Sequence, residues 1–275
     1  MKKGDPVVAI AADDVPARFN MGRVVTRTFE VFGKNFVSFC ALALIVLIPQ
    51  LLLQWFWGVN ALKSTVEEQG VTGVQWTILE HYGVAILVSA ILNYVLQAAL
   101  VRGTVTTLNG DPARFADCLS TGVVSLPRVV GIGLLSTICC TLGAMLLIIP
   151  GIILATMLFV SVPASIVEKK PVLDSLSRST ELTMGHRWAI FGLMVVFILF
   201  CLAASLLIRP LAGLPALPIP HAPMTFDNFS VFALANTALE VVTTSIGAVG
   251  VASIYYELRT IKDGVEPEQL AAVFA

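Results

Sequence analysis

Charged side chains are scarce in this sequence. Asp, Glu, Lys and Arg make up 13% of its 275 residues, against about 25% in an ordinary soluble domain. Hydrophobic residues reach 57% and the mean hydropathy is +0.87, a balance that argues against a water-soluble fold. The longest gap in charge runs over 129–167, where 39 residues contain no Asp, Glu, Lys, Arg or His. As one helix it would be ~58 Å long, about twice the hydrocarbon thickness of a bilayer. The run is therefore expected to fold back on itself, with Pro150-Gly151 near its middle as the turn. The net charge of −1 argues against nucleic acid as a partner.

Other absences narrow the function. The first 35 residues carry Asp13, Asp14, Arg18, Arg23, Arg27, Glu30 and Lys34 without an apolar core, so no cleavable signal peptide is expected and the first span would act as the targeting element. Of five cysteines, Cys40, Cys139, Cys140 and Cys201 fall within apolar runs and Cys118 within a connector. None has zinc-like spacing, and the adjacent Cys139-Cys140 pair is poorly placed to bridge, so all five are expected as reduced packing residues. No phosphate-cradling glycine loop with Lys, no His-Glu-x-x-His and no Gly-x-Ser-x-Gly is present. The three histidines, His81, His186 and His221, fall in separate connections. No enzymatic activity, cofactor or metal is expected.

What remains is a set of apolar runs. Six reach or approach the ~20 residues that a span needs: Phe36–Trp55, Val84–Val101, Val129–Ile149, Gly151–Val167, Trp188–Ile208 and Val231–Tyr255. Six spans put both termini on one side. Fifteen Lys and Arg then share that side, whereas only Lys63 and Arg209 lie opposite, which makes the termini cytoplasmic. The expectation is an all-α integral membrane protein of one domain, 1–275, multi-pass in the bacterial inner membrane. It comprises an amphipathic helix over 1–35, a six-helix bundle over 36–256 and a tail over 257–275. The loop Leu211–Ser230, with four prolines, would connect two spans on the outer face or cap it.

The connectors repeat a pattern. Val25, Phe29, Phe32 and Phe36 follow steps of 4, 3 and 4 and share a helix face, while Arg23, Arg27, Glu30 and Lys34 use the same steps on another. Such a helix lies in the interface with its bases toward anionic headgroups, or docks on the bundle with its charges in water. A second segment opens with Asp111-Pro112 and carries a stripe of Phe115, Leu119 and Val123. In the third, Pro171 starts a helix on which Asp174, Arg178 and Glu181 form an ion-pair ladder on a solvated face, before Gly185 offers a hinge or cap. Gly33-Lys34-Asn35-Phe36 and Gly185-His186-Arg187-Trp188 lead into spans in matching form, and Leu126-Pro127-Arg128-Val129 is a weaker version. The chain is thus expected to form three hairpins, each preceded by an amphipathic cytoplasmic helix.

Polar residues inside the spans mark the candidate intramembrane site. Glu240 is the one carboxylate within a span, where a charge at mid-bilayer costs about 2.5–3.5 kcal/mol. It could reach water or Arg209 near the outer boundary, or bind an ion or solute. Asn236, Glu240, Thr244, Gly247 and Ala248 share a face, and Ser89, Asn93 and Gln97 make a stripe at i+4 steps. Hydrogen bonding between helices explains these residues. If Asn93, Gln97, Asn236 and Glu240 converge, a polar cavity of the kind transporters use becomes credible.

From Ile148-Ile149-Pro150-Gly151-Ile152-Ile153 through Pro163, Ile166-Val167-Glu168, Ser175, Arg178-Ser179, Leu182-Thr183 and Trp188, the chain resembles YciC-type bacterial inner-membrane proteins. It is also similar to the membrane domain fused to some glycerophosphoryl diester phosphodiesterases. Thr28-Phe29 to Asn35-Phe36 and the closing Tyr255-Tyr256-Glu257-Leu258-Arg259 fit the same pattern. The resemblance implies a six-helix membrane protein without a defined catalytic site. In the fused members hydrolysis belongs to a separate soluble domain that has no counterpart here, so that activity is not carried over. The functional expectation is a lipid-interacting or scaffolding protein of an envelope pathway, with Arg23, Arg27 and Lys34 as headgroup contacts. Its partners would be membrane lipids, other membrane proteins or a second copy. The alternative is a small transporter or permease component. A lipid enzyme would have to use Asp174, Arg178, Glu181 and His186.

Overall fold

A computed structural model of the chain describes residues 19–50, 52, 70–108, 113–211 and 226–264, the side chains of 70–86, 148, 211 and 226–233 excepted. Described residues fall into helices, with no strand among them. In chain order these are α1 (Met21–Lys34), α2 (Phe36–Gln50), α3 (Gly70–Leu108), α4 (Phe115–Val124), α5 (Leu126–Leu146), α6 (Ile148–Met157), α7 (Ser161–Glu168), α8 (Val172–Thr183), α9 (Arg187–Leu211) and α10 (Phe226–Asp263). Among the described residues, five stretches are long and apolar enough to cross a membrane: Leu87–Leu108, Leu126–Leu146, Ile149–Glu168, Arg187–Pro210 and Leu234–Asp263. A sixth arises if α1 and α2, bent by 81°, count as one span. The span expected over Phe36–Trp55 is described as helix to Gln50 and at Leu52, and residues 51 and 53–55 lie outside. So do residues 1–18, Lys63, the Asp111-Pro112 opening, the side chains of His81 and His221, and residues 265–275. Residues 212–225 of the expected loop are likewise outside, whereas 226–230 already belong to α10.

α3 and α10 form the spine. One buried cluster joins Ala98 and Val101 of α3 to Val129 and Ile132 of α5, Val160 and Val167 beside and within α7, and Tyr255 of α10. The other joins Phe39, Leu42 and Leu47 of α2 to Leu96 and Leu100 of α3 and Val249 of α10. α9 is different: it has the highest hydropathy of the five candidates, yet only 6% of its apolar stretch is buried. Val196, Leu199, Leu202 and Leu207 stand exposed along it, a surface suited to lipid rather than water.

The charge-free run turns earlier than Pro150-Gly151. Leu147 alone is extended, with φ −163° and ψ 145°, and Pro150 and Gly151 already belong to α6. Proline is tolerated in a first helical turn, whose N–H groups have no partner within the helix. Gly151 has a packing role instead: a Cβ there would lie 2.9 Å from the backbone of Ala144 on α5. A second break over 158–160 separates α6 from α7.

Helix faces also differ from the expectation. α1 docks through Val24, Thr28, Val31 and Phe32, leaving Val25 and Phe29 exposed, as is Phe36 at the start of α2. On α4 the buried positions are Cys118 and Gly122, whereas Phe115 and Val123 face outward. Small residues win there because the helices touch closely: a Cβ on Gly122 would meet the Val95 carbonyl of α3 at 2.7 Å. Burial pushes the Cys118 thiol up to about 11. All five cysteines are free.

Candidate functional site

The charged end of the bundle is built round two carboxylates. Close to its C-terminal end α10 delivers Glu257 to α1, where the side chain is 1% exposed. Arg23 Nε lies 3.5 Å from its Oε1 and Arg27 Nη1 3.4 Å from its Oε2. Arg27 also covers the Tyr256 ring, 4.6 Å from its centroid, a cation–π contact. Two of the expected headgroup bases are therefore held by a buried carboxylate. Lys34 instead pairs with Glu30 at 2.7 Å on an exposed surface.

Glu168 ends α7 and takes three partners. Lys170 Nζ stands 2.8 Å from Oε2, Arg178 Nε 3.0 Å from Oε1, and the Tyr255 hydroxyl donates to Oε1 at 2.9 Å. Arg178 reaches on to Asp263 at the end of α10 and to Glu181 at 3.6 Å, and Arg259 Nε lies 3.6 Å from Asp263. Burial works against the Arg178 charge, but Glu168 and Asp263 outweigh it and hold the guanidinium more firmly protonated than usual. The expected solvated ladder is thus corrected. Asp174 is not among the ion-pair partners of Arg178, which points inward to join three helices.

α8 is seated by small hydroxyl residues. Buried Ser179 donates to the Met157 carbonyl at 2.7 Å, an acceptor freed where α6 ends. Thr183 donates to the Ser179 carbonyl at 2.9 Å and Ser175 to Pro171 at 2.8 Å. Gly185, with φ +90°, makes the turn into α9 that glycine adopts without strain. Trp188 is almost fully exposed at the start of α9. His186 stacks on Phe19 with centroids 5.7 Å apart; burial and then the Lys262 charge lower its pKa.

Between the spans lies a second polar group, centred on a residue the sequence reading did not single out. Gln50 of α2 donates to Glu240 Oε1 at 3.1 Å and accepts from Asn93 Nδ2 at 3.4 Å. Asn93 also donates to the Ser89 carbonyl at 2.9 Å. Asn93 and Glu240 are therefore brought together across α2, α3 and α10. Gln97 and exposed Asn236 do not join this chain among the described residues. The signal for Gln50 was present in its lone amide within a run of Ile, Pro and Leu, since polar groups inside spans seek one another.

A groove of about 390 Å³ opens between α1, α9 and α10. Its lining includes Val25, Phe29, Phe159, Met194, Phe197 and Gly250. Thr28, also in the lining, turns its hydroxyl to the Val24 carbonyl at 2.7 Å, so the walls are apolar. Among the described residues no three His, Cys, Asp or Glu side chains gather as metal ligands.

No curated protein and no solved structure matches the chain. One family model does, described as a domain of unknown function (DUF7847), over residues 118–258. That stretch includes Glu168, Arg178, Ser179, Glu240 and Glu257, and stops short of Arg23, Arg27, Gln50 and Asn93. Neither the YciC-type family nor the phosphodiesterase membrane domain is matched. With more than half of its 275 residues covered, the chain belongs to the DUF7847 family.

Proposed function

We propose that this is a non-enzymatic, lipid-interacting membrane protein whose apolar groove holds an acyl chain of a membrane lipid. The groove itself carries the reading. It has apolar walls and is lined by α9, the most exposed of the candidate spans, so it continues a surface suited to lipid. α1 supports it from the end: one apolar face docks on the bundle while Val25 and Phe29 line the groove. In this reading α1 lies along the interface, the 81° bend leads into the first span, and Lys34 faces anionic headgroups. Three units of interfacial helix and hairpin, with both termini in the cytoplasm of a bacterial cell, fit the charge distribution of the sequence. The resemblance of the Pro150 to Ser179 block to YciC-type and phosphodiesterase-fused membrane domains supports an envelope-lipid setting, in which the exposed face of α9 could also take another membrane protein or a second copy.

A permease component is the second reading, and the chain Asn93–Gln50–Glu240 favours it. Both ends of the buried Gln50 amide are spent on those two neighbours, however, which suits a staple between helices better than a solute site.

Filling the groove tests the first reading. Gly250→Leu places a branched side chain where a Cβ meets only Thr28 at 3.8 Å. Lipid retained through purification, counted by native mass spectrometry, should fall about tenfold, equivalent to 1.4 kcal/mol. Gly192→Leu, facing open space on α9, should retain it. Equal lipid in Gly250→Leu and wild type would remove the proposal.

A further inference from the structure

We propose that the cleft between α3, α4, α5 and the end of α7 binds a phosphate group through Arg102, Arg128 and Lys169. The cleft holds about 330 Å³ and is lined by these three cations with Ser120, Thr121, Ser125, Val124 and Ile166, and by no carboxylate. The cations come from three separate places: the last turns of α3, the first turn of α5 and the residue after α7. Other cations at this end are held by carboxylates: Arg23 and Arg27 by Glu257, and Arg178 by Glu168. Arg128 and Lys169 make no ion pair among the described residues.

Lys169 is the one described non-glycine residue with positive φ, at +53°. Glycine usually ends a helix in that conformation. Lysine accepts a backbone cost there, and its side chain reaches the cleft while Lys170 turns to Glu168. The hydroxyls of Ser120, Thr121 and Ser125 already donate to the carbonyls of Asp117 and Thr121, which leaves phosphate recognition to the three cations.

Phosphate can come from an anionic phospholipid or from the free ion. The depth favours a headgroup, because the candidate spans Leu126–Leu146 and Ile149–Glu168 end at this level, and basic pockets between spans suit lipid phosphates. The inference deepens the lipid reading, resting on it for the source of the phosphate and not for the existence of the site.

The test uses the full chain purified in nonionic detergent. Native mass spectrometry compares phosphatidylglycerol with a diacylglycerol of matched chains, and calorimetry titrates inorganic phosphate. Wild type should prefer the phosphate-bearing lipid about tenfold, a margin that salt reduces. R128Q/K169Q should lose that preference. K169G should lose much of it too, while relieving the left-handed backbone, so misfolding cannot explain the loss. K262Q, an exposed cation outside the cleft, should keep it. Displacement of the lipid by inorganic phosphate would mark the free ion as ligand, and failure to displace would mark the headgroup; both support the site. Undiminished binding of both ligands by R128Q/K169Q, or no phosphate-dependent binding by wild type, would overturn it. Lipid lost in Gly250→Leu but kept in R128Q/K169Q would discard the cleft and leave the groove standing, and the reverse result would do the opposite.

Discussion

At its far end α10 presents Glu257 to Arg23 and Arg27 of α1; 17 residues earlier it presents Glu240 to the Gln50 amide of α2, which Asn93 of α3 also bonds. The two carboxylates lie roughly 25 Å apart along one helix, at 1.5 Å per residue. Near the span end arginines can offset a full negative charge, because their stems run along the protein while their heads stay near water. Farther along, a guanidinium would itself be costly to insert, and neutral amides supply dipoles instead. The same helix is therefore held by ion pairs where cations are tolerated and by hydrogen bonds where they are not.

The largest expected effect breaks the charged half of that contrast. R23Q/R27Q leaves Glu257 buried without a cation, a loss of about 3–5 kcal/mol for one side of a buried pair. Unfolding in detergent should register it, and adding E257Q should restore much of the loss. A double variant as stable as wild type would show that Glu257 does not depend on them. Lipid-binding experiments on α1 should for this reason vary Lys34, not the two arginines.

The neutral half should respond weakly. N93L removes the Asn93–Gln50 bond and should cost about 0.6 kcal/mol, within a ceiling of about 1.7 kcal/mol for bonds between membrane helices. A loss as large as that of R23Q/R27Q would erase the distinction between the two clusters.

The smallest effect concerns the rim of the charged end. The His186 pKa is lowered in the folded chain by burial and by Lys262, so between that value and the usual ~6.5 the unfolded chain binds more protons. The stability contributed is present above about pH 6.5 and is lost as pH falls through the lowered value. The drop in Tm between pH 7.5 and 5.5 should shrink in H186Q; an unchanged drop would show that the Phe19–His186 stack is indifferent to charge.

Much of the fold was legible locally. Pro171 before α8, Gly185 before α9 and the apolar lengths of α3, α5, α9 and α10 all follow from residues within a few positions of one another. The faces of α1 and α4 were not legible. Period shows which residues share a side, but α1 is apolar on two sides, and only close contact with α10 and α3 selects Val24 and Thr28 over Val25 and Phe29. Pro150 misled because it disrupts a helix interior yet fits a first turn, so the reversal moved back to Leu147. Of the intramembrane candidates, Asn93 and Glu240 meet only because Gln50 stands between them, and no spacing along the chain relates position 50 to position 240.

By itself the sequence determined which segments are apolar enough to cross a membrane, since the cost of placing each segment in lipid or water is a sum over its own side chains. Tertiary structure decided the partners. The Arg27–Glu257 contact spans 230 positions, and the cleft of Arg102, Arg128 and Lys169 gathers residues from α3, α5 and the end of α7. Electrostatic pairing depends on distance in space, which the order of residues does not contain.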